Sequence, residues 1–346
     1  MVKLLDIMKA NKLTELPPPP SLVASLLAGF DAITRSVSLI LFPVALDLLL
    51  WLGPHLNIGR VINEYWRQMA AFSGSGTAGS AEFIQSNQEL WNYFGENMNL
   101  FALLRSYPVG ITSLMASRLP TVIPGGGEPY TLHLPSILDV AGISLILTVI
   151  GLVIGSLYYL GVAEAALSNQ VNWVSVLKKW PRVSVQVILL ALLWVVLVIA
   201  VSIPASCIIS ALVITSPALS RISLLLFLAG MMWLIFPLLL SAHGIFAYGS
   251  TMLVSVKKSL TLTRMTLPST GMLFLAVLTL SQGMDILWRI PAEHSWFTLV
   301  GIFGHAFVTT GLLSATFVYY RNADRWVQRV YAHWNQLSTV QPKSLS

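Results

Sequence analysis

The chain of 346 residues is 55% hydrophobic and only 10% charged. Soluble domains carry about 25% charged residues, so this composition excludes an ordinary water-soluble domain. The lone Cys207 excludes a disulfide-rich scaffold, and the formal net charge of +6 comes without the basic, aromatic-interleaved stripe of a nucleic-acid-binding surface. The composition therefore predicts an all-α fold, a polytopic integral membrane helical bundle with no nucleic-acid partner.

Residues 1–35 are predicted to be a cytoplasmic N-terminal segment. Charged residues interrupt its start too often for the apolar core of a cleavable signal, so we expect this segment to be retained. Apolar residues at helical spacing predict an interfacial helix lying on the membrane. The prolines from Pro17 to Pro20 end that helix, because proline lacks the backbone N–H donor.

Six stretches are long and apolar enough to cross a bilayer, which takes roughly 20 helical residues. The segment 54–135 separates the first span from the other five, which lie within 136–320, and residues 321–346 form a tail. The predicted spans are 36–53, 138–162, 185–212, 223–248, 268–288 and 296–320.

The distribution of basic residues predicts the orientation of these spans. Fourteen Lys and Arg residues fall in the two terminal segments and in the loops on the same side as the termini, and six fall in the alternate segments. Basic residues favour the cytoplasmic side, so we expect a multi-pass protein of the cell (cytoplasmic) membrane with both termini cytoplasmic. The basic side is expected to contact anionic lipids, and 54–135 is expected to face outward.

A short pattern occurs three times along the chain. An amphipathic stretch ends at Arg35, at Arg182 and at Arg264, and each time a span follows. Three units of an interface helix and a two-span hairpin would account for six helices. The alternative is that any protein with a basic cytoplasmic side shows basic residues before such spans.

The outward segment is predicted to contain two amphipathic helices, at 57–73 and 81–106, joined by a glycine-rich linker. Gly74, Gly76 and Gly79 of that linker fit a dinucleotide fingerprint by spacing only, because no strand precedes them. The helices could pack on each other and on the ends of the spans, or present a surface for a protein partner.

Three carboxylates, Asp47, Asp139 and Asp285, fall in the outward third of predicted spans. Carboxylates are costly in the hydrocarbon region, so a shared site for a cation or a proton that opens outward is one hypothesis. The alternative is three interfacial carboxylates that reach the headgroups or cap helices. His243 and His305 also lie within spans, but without metal-ligand spacing, which favours roles in packing or interhelical hydrogen bonding.

Gly151 and Gly155 form a G-x-x-x-G pattern in the second span, where small residues allow close backbone approach. We expect this pattern to serve packing within the chain rather than a dimer interface. The tail holds aromatic residues on one helical face, which predicts a helix on the inner leaflet or a docking helix for a protein. The sequence shows no nucleotide-binding, zinc-protease or serine-hydrolase motif, so we expect no enzymatic activity and no cofactor.

The unit of a basic helix and a hairpin, at Phe30-Asp-Ala-Ile-Thr-Arg35 and at Lys257-Lys258-Ser-Leu, resembles that of six-span bacterial membrane proteins. It is similar to the membrane domain fused to some glycerophosphodiester phosphodiesterases. The resemblance covers the spans and leaves out 54–135. Because the hydrolase barrel has no counterpart in this sequence, the resemblance implies neither that activity nor any functional residue.

Two functions remain open from the sequence. The first is a non-enzymatic membrane scaffold or partner subunit, with a protein partner bound through residues 54–135 or through the tail. The second is a small-solute or ion transporter that uses helices kinked by proline together with Asp47, Asp139 and Asp285.

Overall fold

A computed structural model describes residues 18–72, 88–89, 91–93, 95–118, 122–127, 129–168 and 170–340. Four stretches lie outside this part: the start of the predicted N-terminal segment, the glycine-rich linker, most of the first half of the predicted helix 81–106, and the last six residues. Helices dominate it, which confirms the all-α prediction. The helices are α1 (Leu22–Arg35), α2 (Leu41–Leu52), α3 (Gly59–Phe72), α4 (Ile137–Ser168), α5 (Trp173–Thr215), α6 (Pro217–Ile235), α7 (Ser241–Tyr248), α8 (Met252–Met265), α9 (Leu267–Trp288) and α10 (Thr298–Val340).

By length and composition, five helical stretches in the described residues could each cross a membrane. A sixth exists if α1 and the helical stretch Val37–Leu52 count as one span, although a 93° bend separates them. The bend lies where α1 ends at Ser36 and a short 3-10 turn, Val37–Ile40, leads into α2. The five stretches are Ile137–Ser168, Trp173–Leu212, Ala218–Tyr248, Leu267–Trp288 and Thr298–Asn335.

The helix α1 packs into the bundle along α10. Gly29 lies so close to α10 that a Cβ atom placed on it would stand 2.4 Å from the backbone nitrogen of Ala315. Its neighbour Phe30 packs against Phe307, with ring centroids 5.9 Å apart. One face of this predicted amphipathic stretch therefore packs against another helix, and its polar face is exposed.

Two of the predicted spans belong to much longer helices. The basic stretch that ends at Arg182 is continuous with its span in α5, although Pro181 and Pro204 lie inside this helix. The last span continues without a break into the tail as α10, where Asp324 accepts a hydrogen bond from Lys258 at 2.8 Å. This ion pair joins the tail to α8, the helix of the third basic unit.

The segment 54–135, which is predicted to face outward, holds strands as well as helices. Its strands β1 (His55–Asn57) and β2 (Thr131–His133) pair in parallel, with His55 opposite Thr131, and they bring the two ends of the segment together. In the predicted helix 81–106, residues 91–93 and 95–97 are helical, and a 3-10 turn at Leu100–Leu104 follows. The chain then continues through residues 105–118 with one further 3-10 turn, Met115–Ser117.

Candidate functional site

Residues 99–118, here called the inserted segment, enter the helical bundle. A Cβ atom on Gly151 would lie 2.5 Å from the carbonyl oxygen of Leu104, and one on Gly155 would lie 2.6 Å from that of Val109. At a rise of 1.5 Å per residue, these glycines are about 21 and 27 Å from the start of α4. The G-x-x-x-G pattern serves packing within the chain, as predicted, but its partners are the end of a 3-10 turn, at Leu104, and irregular backbone, at Val109, rather than another α-helix.

Burial of this irregular backbone requires internal partners for its polar groups, because unpaired N–H and C=O groups are costly away from water. The hydroxyl of Ser106 lies 3.0 Å from the carbonyl oxygen of Thr148, on α4. Val109 and Leu114 are completely buried. Tyr107 packs edge-on against Trp194, with centroids 5.3 Å apart. These contacts fix the segment between α4 and α5.

The Asp47 carboxylate holds the far end of the inserted segment. It is fully buried on α2 and accepts hydrogen bonds from the Ser113 hydroxyl and from the backbone N–H groups of Leu114, at 3.2 Å, and Met115, at 2.9 Å. The Ser113 oxygen in turn accepts from Ala116 N–H at 3.0 Å. A carboxylate suits this position because the first N–H groups of a helical turn lack intrahelical partners.

The Asp285 carboxylate pairs with His305 across the α9–α10 contact. The imidazole Nδ1 lies 2.7 Å from Asp285 Oδ1, and the two side chains are 4% and 13% exposed. One turn along α10, Thr309 bonds to the His305 carbonyl, and its hydroxyl lies 2.8 Å from that of Thr112 in the inserted segment. Thr112 precedes Ser113, the residue that bonds to Asp47, so contacts through the inserted segment connect Asp47 with the His305–Asp285 pair.

Asp139 has a separate, local role. Its backbone N–H donates to the Ser136 hydroxyl oxygen at 3.2 Å, and the same hydroxyl donates to the Asp139 carboxylate at 2.7 Å. This reciprocal pair caps the start of α4, where a negative charge is also favourable. Of the three predicted carboxylates, Asp285 pairs with His305 and Asp47 binds the inserted segment, whereas the hydrogen bonds of Asp139 match the capping alternative.

A second polar contact fastens the inserted segment at its C-terminal end. Arg118 donates to the carbonyl oxygens of Pro291, at 2.9 Å, and Arg289, at 3.3 Å, and its Nε lies 3.7 Å from the Glu293 carboxylate. Burial lowers the pKa of Arg118 from its usual value, and Glu293 acts in the opposite direction. Arg289 donates back to the Ser117 hydroxyl at 2.7 Å. The segment is thus held on one side by α2 and on the other by the turn after α9.

The histidines make the interhelical hydrogen bonds expected from the sequence. His243 Nε2 lies 2.8 Å from the hydroxyl of Thr316 on α10, and His305 pairs with Asp285 as described above. The inserted segment was not predicted from the sequence. Pro108 and Gly110, which interrupt an apolar stretch after residue 99, are the signal that could have revealed it.

Comparisons with known proteins give no relative for this chain: no family model matches, and neither the curated proteins nor the solved structures yield a match.

Proposed function

We propose that the chain is a multi-pass protein of a bacterial inner (cytoplasmic) membrane, with both termini cytoplasmic. Its long apolar helices expose many large hydrophobic side chains along their length, for example Leu225 and Leu226 at 67% each, and such surfaces are stable against lipid. The charge asymmetry of the loops supports the orientation and contact with anionic lipids on the cytoplasmic side.

Within that membrane, we propose a non-enzymatic scaffold or partner subunit whose outward segment binds another protein. The observation that carries this proposal is the double attachment of the inserted segment, by Asp47 on one side and Arg118 on the other. This attachment fixes one part of the outward segment to the bundle, while Tyr65 and Tyr130 elsewhere in that segment remain 56% and 71% exposed. Exposed aromatic side chains on a rigid support are typical of protein-binding surfaces.

Site-specific photocrosslinking in native membranes tests this proposal. A photoreactive residue replaces Tyr65 or Tyr130 in the outward segment, Trp334 in the tail, or the lipid-facing Leu225 as the matched control. A discrete protein adduct from the outward segment or the tail, with none from Leu225, is expected. If every position yields only the bare chain and native copurification returns no partner, the scaffold proposal fails.

The alternative function, transport of a small solute or ion, has one specific observation in its favour. The pair of α1 and Val37–Leu52 passes the length and composition test for a span only together and is bent by 93°, as in transporters with broken helices. The test is solute flux into proteoliposomes that contain wild-type protein or the double variant Asp47→Asn, Asp285→Asn. Asp139→Asn is the matched control, because that carboxylate caps a helix. Unchanged flux of all tested solutes in the double variant would contradict transport that uses these two carboxylates.

A further inference from the structure

An apolar cleft lies where the C-terminal end of α6 meets α8 and the start of α9. The carbonyl oxygen of Pro237, just after α6, accepts a hydrogen bond from the Ser259 hydroxyl of α8 at 2.8 Å. Phe236 packs edge-on against Phe274 of α9, with ring centroids 6.0 Å apart. The cleft between these elements has a volume of about 500 Å³, within the range of about 300–1,000 Å³ that is usual for small-molecule sites.

The lining of this cleft combines an apolar wall with one cation. Apart from Thr263 and Arg264, the lining residues are apolar, and they include Met232, Trp233 and Phe236. Met232 and Trp233 are 72% and 76% exposed, so they form an apolar surface that is open to an outside molecule. Arg264 is exposed and forms no ion pair with any residue that the structure describes. A molecule that matches this lining has an apolar chain joined to an anion.

The cleft lies at the depth where a membrane lipid presents both of these groups. The 19 residues of α6 have a length of about 28 Å at 1.5 Å per residue, close to the hydrocarbon thickness of about 30 Å. With Pro217 at one membrane surface, Trp233 is near the other, at the headgroup level that tryptophan favours. The next span, α9, begins at Leu267, which also lines the cleft. In the proposed orientation this surface is cytoplasmic, where anionic lipids attract basic residues.

A second basic residue extends the positive charge along α8. Lys257, Thr261 and Arg264 are all exposed, and their spacings of four and three residues place them on one face of the helix. Lys258, by contrast, is paired with Asp324. The exposed face therefore favours a headgroup with a net negative charge over a zwitterionic headgroup, whose own cation the two basic residues would repel.

We propose that the cleft binds one anionic phospholipid, with an acyl chain against Met232, Trp233 and Phe236 and with its phosphate held by Arg264. A guanidinium can donate two parallel hydrogen bonds to a phosphate. A second apolar cleft, of about 390 Å³ between α2, α4 and the inserted segment, has no charged residue in its lining and so offers nothing that selects a headgroup. The inference rests on the proposed membrane location, and it adds a defined site to the proposed contact with anionic lipids.

Photocrosslinking of the full chain in nanodiscs tests this site. The nanodiscs contain equal amounts of phosphatidylglycerol, which is anionic, and phosphatidylcholine, which is zwitterionic, with identical acyl chains. A photoreactive residue replaces Met232 or, as the matched control, Leu225, which is seven residues earlier on the same face of α6 and is 67% exposed. Mass spectrometry of the adducts gives the ratio of the two lipids at each position. We expect this ratio to favour phosphatidylglycerol about fivefold more at Met232 than at Leu225, the usual contribution of one basic residue near an anionic surface.

Substitutions at two arginines separate the site from a general effect of charge. Arg264→Gln should lower the ratio at Met232 to the ratio at Leu225, whereas Arg264→Lys, which keeps the charge, should retain most of the enrichment. Arg182→Gln removes the same charge from α5, at a residue outside the lining, and should leave the ratio unchanged. Equal ratios at Met232 and Leu225, or an enrichment that survives Arg264→Gln, overturn the site while the membrane location stands. An absence of lipid adducts at both positions would contradict the membrane location itself.

Discussion

The carbonyl oxygen of Leu104 lies against Gly151, where an added Cβ atom would stand 2.5 Å away from it. The same Cβ would stand 2.6 Å from the Ser106 hydroxyl oxygen, which bonds to α4. Because the Leu104 carbonyl belongs to the main chain, the backbone of the inserted segment would have to move. The position of the segment therefore depends on the absence of a side chain at residue 151.

Gly151→Ala is expected to destabilise the protein by about 1–3 kcal/mol, the usual cost of forcing extra volume into a packed site. Thermal unfolding in detergent or nanodiscs measures the effect. Gly142→Ala is the matched control, because Gly142 belongs to the same helix and a Cβ there would meet nothing within 4 Å. The control should be neutral or slightly stabilising, since alanine is the better helix former. Equal stability of both variants would contradict the packing described here.

Asp47→Asn is expected to weaken the attachment of the inserted segment at Ser113 and Met115. The amide keeps one acceptor oxygen and places an NH2 group where the carboxylate accepted a bond, which leaves a buried donor badly paired. A loss of about 1–3 kcal/mol in unfolding free energy is expected for such a group. The measurement is unfolding in mixed micelles, combined with protease sensitivity of residues 99–118.

Asp139→Asn is the control for Asp47→Asn. Asparagine keeps an oxygen that can accept the bond from the Ser136 hydroxyl, and Asp139 is exposed, so the loss should be well below 1 kcal/mol. Comparable destabilisation by the two substitutions would argue against a special structural role for Asp47.

Arg118 and Glu293 are expected to contribute jointly to the attachment at the turn after α9. Arg118 also donates to two backbone carbonyls, so Arg118→Gln should destabilise more than Glu293→Gln. A double-mutant cycle of the two substitutions should give a coupling energy of about 0.5–3 kcal/mol, as for other residues in one polar network. Strictly additive effects would show that their 3.7 Å approach contributes nothing.

Regular apolar helices were predictable from the sequence, and irregular buried backbone was not. The helix α9, Leu267–Trp288, agrees within one residue with the predicted span 268–288, because a continuous apolar stretch begins near a proline at the helix start. Helix length was less predictable: α5 and α10 continue far beyond the apolar window, since a helix can extend through polar sequence when its neighbours support it.

The polar contacts of the aspartates were only partly predictable for a related reason. Hydropathy singles out Asp47 and Asp285 as costly residues, but it does not show which side chains satisfy them. The partners lie far away along the chain: Ser113 is 66 residues from Asp47, and His305 is 20 residues from Asp285 on another helix. Asp139, identified by the same argument, caps its own helix. Only the tertiary structure shows that Asp47 and Asp285 find partners on other elements, whereas Asp139 bonds within the start of its own helix.

His55 gives the segment 54–135 a predicted pH dependence. The ring is buried in β1 beside the carbonyl oxygen of Leu50, and burial lowers the pKa of His55 from 6.5, with the Leu50 carbonyl acting in the opposite direction. The folded state thus favours the neutral ring, whereas the unfolded chain binds a proton near pH 6.5. The stability that this preference contributes is present above pH 6.5 and is lost as the pH falls below that value.

Lowering the pH from about 7.5 to about 5 should therefore weaken the pairing of β1 with β2, detectable as faster proteolysis within residues 54–135. His55→Gln, which cannot be protonated in this range, should lose part of this pH dependence. His294→Gln removes an exposed histidine outside the strands and should retain all of it. If His55→Gln shows the same pH dependence as wild type, another group causes it, because the charge on His55 would then make no difference to the fold.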